Sequence, residues 1–210
     1  PHGGGGPGSG AVGCKEFLAR FLPGPVAEKD GDGYRLVRPE DSIGRVKNFY
    51  GNFAVAVRAL TYVLTLGREG IPEAAKNAVL NANYMMKRLS EKYAMAYAGP
   101  CMHEFVMTLQ DLKDETGCSA MDVAKGLLDH GIHPPTMYFP LIVHEALMVE
   151  PTETESQETM DEVCGVFLSL WDLAHENPQA LHDAPTRTPV GRLDEVGAAR
   201  NPVLRYLPHD

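Results

Sequence analysis

Apolar positions recur at three- and four-residue steps over three stretches of this chain, and each stretch predicts a helix. From Ile43 to Leu66 they are Val46, Phe49, Phe53, Val57, Leu60 and Leu64, with Gly67 as the stop. A second stretch opens at Pro72, which suits a first helical turn, and runs through Ala75, Val79, Ala82, Met86 and Leu89 to about Tyr97. The third follows the Pro151-Thr152-Glu153-Thr154-Glu155-Ser156 cluster with Met160, Val163, Cys164, Phe167, Leu170, Trp171 and Ala174. Between the second and third stretches the period shortens. Phe105, Met107 and Leu109 alternate as a strand, and Ala146 to Val149 reads as another. Ser119 opens a short helix through Val123, Leu127 and Leu128 to Gly131, with Asp122 placed for a capping box. Residues 26–41 predict a hairpin turning at Asp30-Gly31-Asp32-Gly33.

Two boundaries organise these elements. Gly99-Pro100 separates long helices on one side from strand, helix, strand and helix on the other, the order of a small α/β layer domain. The chain also opens on a glycine run after Pro1-His2, and so reads as a cut through a larger fold. The tail from Pro185 is rich in arginine and proline and shows no period.

Composition narrows the class. The chain has 210 residues, 44% hydrophobic and 22% charged, enough for a real core. Its net charge of −9 argues against a nucleic-acid partner, which would favour a basic field. Cys14, Cys101, Cys118 and Cys164 are scattered with no CxxC pair, as core thiols of a reducing compartment would be. The most apolar stretch, Asn48 to Leu66, carries Arg58 at its centre, so it reads as a buried helix of a soluble protein and not as a membrane span.

Few positions carry chemistry by their pattern alone. Successive glycine amides in His2-Gly3-Gly4-Gly5-Gly6-Pro7-Gly8 can converge on an anion, although the same composition suits a flexible linker. His103, His130, His133 and His144 match no standard metal-ligand spacing, and no metal site is expected. Glu150, Glu153 and Glu155 could pair for acid–base work. Helix capping explains them better, with Thr154 and Gln157 as one plausible cap. Arg58, charged in an apolar helix, should face a carboxylate, a phosphate or a subunit boundary. Arg187, Arg192, Arg200 and Arg205 form a basic surface for an acidic partner, or are simply solvated.

Five runs together carry a resemblance. HGGGGPG (His2–Gly8), YGNFAVAVR (Tyr50–Arg58), AVLNANY (Ala78–Tyr84), HPPTMYFPL (His133–Leu141) and LMVEPTETES (Leu147–Ser156) resemble the P-protein of the glycine cleavage system. The tail from Thr188 to Tyr206 is similar to that of the second subunit of the two-subunit bacterial form, except that Gly191 stands where related tails have a further arginine.

The resemblance implies a fold-type-I enzyme dependent on pyridoxal phosphate (PLP), similar in architecture to aspartate aminotransferase. Residues 1–98 would end its PLP-binding large domain and connecting helices, and residues 99–210 would form the small C-terminal domain. In that family the Schiff-base lysine lies just ahead of the glycine run, hence before Pro1, so this chain alone is expected to be inactive. His2, Gly3, Gly4, Gly5 and Gly6 would lie at the cofactor phosphate, and Arg58 and Arg192 at a substrate or an interface. The implied reaction removes CO2 from glycine and passes the aminomethyl group to the lipoyl arm of the carrier H-protein, with a first P-protein subunit as partner. A cytoplasmic setting and self-association of the chain through the Ile43–Leu66 helix are expected. Two other readings stay open: a PLP-dependent decarboxylase of a larger amino acid, and a non-catalytic interaction domain.

Overall fold

A computed structural model describes residues 6–46 and 51–206, which fall into two compact units, Pro1–Ile71 and Pro72–Asp210. The first unit contains helix α1 (Glu16–Ala19) and the hairpin β1 (Val26–Asp30) and β2 (Gly33–Val37). The hairpin pairs Val26 with Val37 and Asp30 with Gly33, so its turn falls where the Asp-Gly repeat predicts. Backbone bonds from Ile43 N to Phe21 O and from Gly24 N to Gly44 O, with the Arg20–Asp41 ion pair, close the excursion on itself.

Helix α2 (Phe53–Leu89) passes from the first unit into the second and is interrupted at Gly67 (φ 64°, ψ −166°), a conformation glycine adopts at little steric cost. Its first part starts ten residues later than the apolar period predicts. Gly44 holds φ 95° and residues 43–46 are non-helical, while residues 47–50, Phe49 included, lie outside the described residues. Its second part ends at Leu89, short of Tyr97. Ser90, Glu91 and Lys92 turn back on the last helical carbonyls, and Ala94–Met95 becomes strand β3.

The second unit has one core. Strand β3 pairs with β4 (Phe105–Thr108), β4 with β6 (Ala146–Val149), and β6 with β5 (Thr136–Met137), all antiparallel. Inward residues Phe105, Met107, Leu147 and Val149 meet Ala82, Met85 and Leu89 of α2. Met160, Cys164, Phe167 and Leu170 of α5 (Gln157–Glu176) join them. Helix α4 (Ala120–Asp129) lies close to α5 and α6 (Pro178–Asp183): a Cβ on Gly126 would stand 3.0 Å from both Leu170 and Leu181. Helices α3 (Gln110–Thr116), α6 and α7 (Glu195–Arg200) are too short for their periods to show in the sequence.

The predicted capping box forms at Ser119 and Asp122. At α5 the cap is Ser156, whose side chain accepts from Thr159 N, and not Thr154. Ser156 holds the extended backbone a cap requires, whereas Thr154 shares a turn with Thr152. Helix α5 buries the expected stripe of Met160, Cys164, Phe167, Leu170 and Ala174.

Candidate functional site

Two of the runs that carry the resemblance line one cavity of about 580 Å³ in the second unit. His133, Pro134, Pro135 and Thr136 form one wall, and Val149, Glu150, Pro151 and Thr152 form another. Met85, Met160, Val163 and Phe167 supply an apolar floor, and Glu104, Glu150 and Glu155 bring three carboxylates to the lining. That charge disfavours an anion such as a phosphate or a free carboxylate.

A third run braces the cavity. Asn81, buried to 8% exposure, donates its side-chain amide to Thr152 O at 2.9 Å and Glu155 O at 3.3 Å. Asn83 does the same for another loop: its Oδ1 accepts from Cys101 N at 3.0 Å and its Nδ2 donates to Cys101 O at 2.8 Å. The Tyr84 hydroxyl donates to Asp161, which also receives Arg88. The AVLNANY run is therefore a row of side chains on α2 that fixes the loops at Cys101 and at Thr152–Glu155 and ties α2 to α5 at Asp161. Its sequence signal was present as two asparagines in an otherwise largely apolar run, Ala78 to Tyr84, which asks for polar partners inside the fold.

The loop that Asn81 holds is strained. Thr152 adopts φ 66°, a region that β-branched residues avoid. Strain of this kind persists only where surrounding contacts over-determine it. Here those contacts are the Asn81 amide and the Thr152–Thr154 hydroxyl pair at 3.0 Å. Glu150 and Glu155 flank this turn at the cavity, while Glu153 does not line it.

Arg58 is solvent-exposed in α2. The burial expected of it is corrected: Phe53, Val57, Leu60 and Leu64 on the same segment are 82%, 41%, 56% and 73% exposed, so the segment is not a core helix among the described residues. Arg192 is tied to α4 and to the chain around α6. Its Nη2 donates to Asp122 Oδ1 at 2.5 Å and to Leu181 O at 3.0 Å, and its Nε donates to Ala184 O at 2.9 Å. Asp129 holds the same tail from the other end of α4, accepting from the amides of Thr186 and Arg187 at 2.7–2.8 Å. The segment from Thr186 to Arg192 is thus a strap tied to both ends of α4.

Burial works against charge on Asp122. Hydrogen bonds from Ser119, Arg192 and His182 outweigh it and hold the carboxyl below its ordinary range. Asp129 behaves alike, with bonds from Arg187 and Thr186 outweighing desolvation. Burial raises Cys164 to about 11, so this thiol stays protonated at neutral pH.

His2, Gly3, Gly4 and Gly5 lie outside the described residues. Gly6 is exposed, and a Cβ on Gly8, Gly10 or Gly13 would meet nothing within 4 Å. One tie does anchor it, since the Asn52 amide donates to Gly8 O, joining the HGGGGPG and YGNFAVAVR runs. Among the described residues no three His, Cys, Asp or Glu side chains could hold a metal ion. Nor is any described helix long and apolar enough to cross a membrane.

The architecture is that of a mixed helix-and-sheet domain that braces loops around a cavity. It shares the fold of a crystal structure of glycine decarboxylase, the P-protein of the glycine cleavage system, in inhibitor-bound form. The TM-score is 0.60 at 20% identity, over 74% of this chain and 37% of that one. The chain belongs to the glycine dehydrogenase C-terminal domain family, whose model matches residues 74–185. It is 61% identical over 208 residues to a probable glycine dehydrogenase (decarboxylating) subunit 2 of Treponema denticola, covering 98% of this chain and 43% of that protein. It is 52% identical over 206 residues to the same subunit of Thermotoga maritima, covering 98% and 44%. The chain therefore spans less than half the length of these curated relatives.

Proposed function

We propose that this chain is the C-terminal part of the second subunit of a glycine dehydrogenase (decarboxylating). The complete enzyme removes CO2 from glycine with PLP as cofactor and hands the aminomethyl group to the lipoyl arm of the H-protein. A first P-protein subunit is its partner in the cytoplasm. PLP supplies an electron sink for the carbon that loses CO2. The observation that carries the reading is 61% identity across 98% of the chain to a protein of that name.

Within that enzyme we assign a fold-type-I architecture, with residues 1–98 closing the PLP-binding domain and residues 99–210 forming the small domain. The start of the glycine run, His2 to Gly6, is assigned to the cofactor phosphate. Arg58 is assigned to an interface, because the segment around it exposes an apolar face. That face is also the surface through which the isolated chain should self-associate. Arg192 is assigned to holding the tail.

The test is glycine-dependent release of labelled CO2 by the complete gene product with its partner subunit, PLP and lipoylated carrier. Release that needs all four, with no activity on larger amino acids, supports the assignment. Turnover of a larger amino acid in preference to glycine would overturn it.

A further inference from the structure

The cavity of about 580 Å³ has the size of a small-molecule pocket, with Met85, Met148, Met160 and Phe167 among its apolar lining. Its charge is one-sided. Glu104, Glu150 and Glu155 line it with no lysine or arginine beside them. Glu104 has His103 at 3.8 Å, but among the described residues no ion pair or hydrogen bond engages the Glu150 or Glu155 carboxylate. Carboxylates elsewhere in this unit are matched from within: Asp161 by Arg88, Asp122 by Arg192 and Glu145 by Lys113.

We propose that this cavity binds a small organic cation, a protonated amine carried on an apolar body. The body rests on the methionines and Phe167, and the ammonium N–H donates to Glu150 and Glu155. A bare metal ion would leave the apolar lining unused, and among the described residues no cluster of ligands for one exists. The start of α5 offers an anion little, because Ser156 Oγ already accepts from Thr159 N at 3.2 Å. The turn that presents both glutamates is set before a ligand arrives. Asn81 holds its Thr152 and Glu155 carbonyls, so binding costs little further ordering there.

The test uses the complete gene product with its partner subunit and three probes of one shape: dimethyl(phenylbutyl)amine, phenylbutanol and phenylbutyrate. The amine is tertiary, so it cannot condense with a carbonyl cofactor. In calorimetric titration near neutral pH it should bind about tenfold more tightly than the alcohol, and the carboxylate should bind more weakly than both. Glu150→Gln with Glu155→Gln should abolish that tenfold preference and leave the alcohol's affinity, which reports an intact floor. If the double variant does not fold, added salt gives the same information on the unaltered protein: it should weaken the amine and spare the alcohol. Methyl spectra of methionine-labelled protein place the amine. Met85, Met148 and Met160 should shift, whereas Met95 and Met102, which line a separate cavity, should not.

No saturable binding of the amine, as a lysine or arginine from another segment seated in the cavity would produce, overturns the proposal. So does an alcohol or carboxylate bound as tightly as the amine, a preference that survives both glutamine substitutions or added salt, or shifts confined to Met95 and Met102.

Discussion

Arg192 and Asp122 are 70 residues apart in sequence, yet the guanidinium donates to the carboxylate at 2.5 Å. Asp122 is at once the capping-box residue of α4 and the anchor of the tail, so one side chain couples a local motif to a long-range contact. Arg192→Ala should destabilise the chain by about 2 kcal/mol, the usual worth of hydrogen bonds to a charged group. Asp122→Ala, which also loses the cap, should cost about 3 kcal/mol. Arg192→Lys should rescue little, because three acceptors in a fork need the planar guanidinium. Urea unfolding of the three variants measures all of this.

Acid should loosen the strap. Asp122 and Asp129 both have folded pKa values below their ordinary range, so each favours the folded state above the unfolded carboxylate pKa of about 3.9. That contribution falls away as pH drops through the folded values. Protection of the Thr186 and Arg187 amides should hold between pH 5 and 7, roughly, and decline below about pH 4. Hydrogen exchange read at those two amides would show it, and unchanged protection at low pH would contradict the assignment.

Asn81 and Thr152 should respond differently to substitution. Asn81→Ala leaves the Thr152 and Glu155 carbonyls without their donor and should cost about 1–3 kcal/mol. Thr152→Gly relieves a left-handed backbone, and strain relief of about 1 kcal/mol should roughly offset the entropy glycine adds to the unfolded chain. Thermal unfolding of the two variants separates them: a marked loss for the first and little change for the second.

Gly126→Ala places a methyl 3.0 Å from Leu170 and Leu181. Both are buried leucines, so overpacking should destabilise the unit by about 1–3 kcal/mol. Leu181→Ala, made in the same background, should recover part of that loss by opening space. Chemical denaturation of the single and double variants would give the coupling.

Added PLP should not bind this 210-residue chain stoichiometrically. A Cβ on Gly8, Gly10 or Gly13 would meet nothing within 4 Å, so no packing pre-organises this part of the run for a phosphate. Equilibrium dialysis, with absorbance to detect any lysine adduct, is the measurement. One bound PLP per chain would show that the site is complete within it.

Elements with their own period were legible in sequence. Helix α5, strands β4 and β6, the β1–β2 turn and the Ser119 cap fall where side-chain spacing places them. The misreadings fall where apolar spacing continues without a buried helix face to match it. Val46, Val57, Leu60 and Leu64 recur at helical spacing, yet Val46 stands outside any helix and all four are exposed. Tyr93 falls inside the second predicted helix, which runs to about Tyr97, and instead packs against α5 from a turn, with its hydroxyl bonded to Phe167 O. The pairings of Arg192 with Asp122, Asn81 with Thr152 and Asp129 with Thr186 were invisible because the partners lie more than 55 residues apart. No local spacing encodes such a pair.

The packing of Tyr93 equips the second unit with an optical gauge. Its ring stands edge-on to the chain's single tryptophan, Trp171, with centroids 5.0 Å apart, and burial pushes its ionisation far above the usual phenol range. In an alkaline titration one of the eight tyrosines should stay dark in the ultraviolet until the fold gives way. Trp171 emission should be quenched at that same point, as phenolate appears nearby. The two signals together time the opening of this core with no added label.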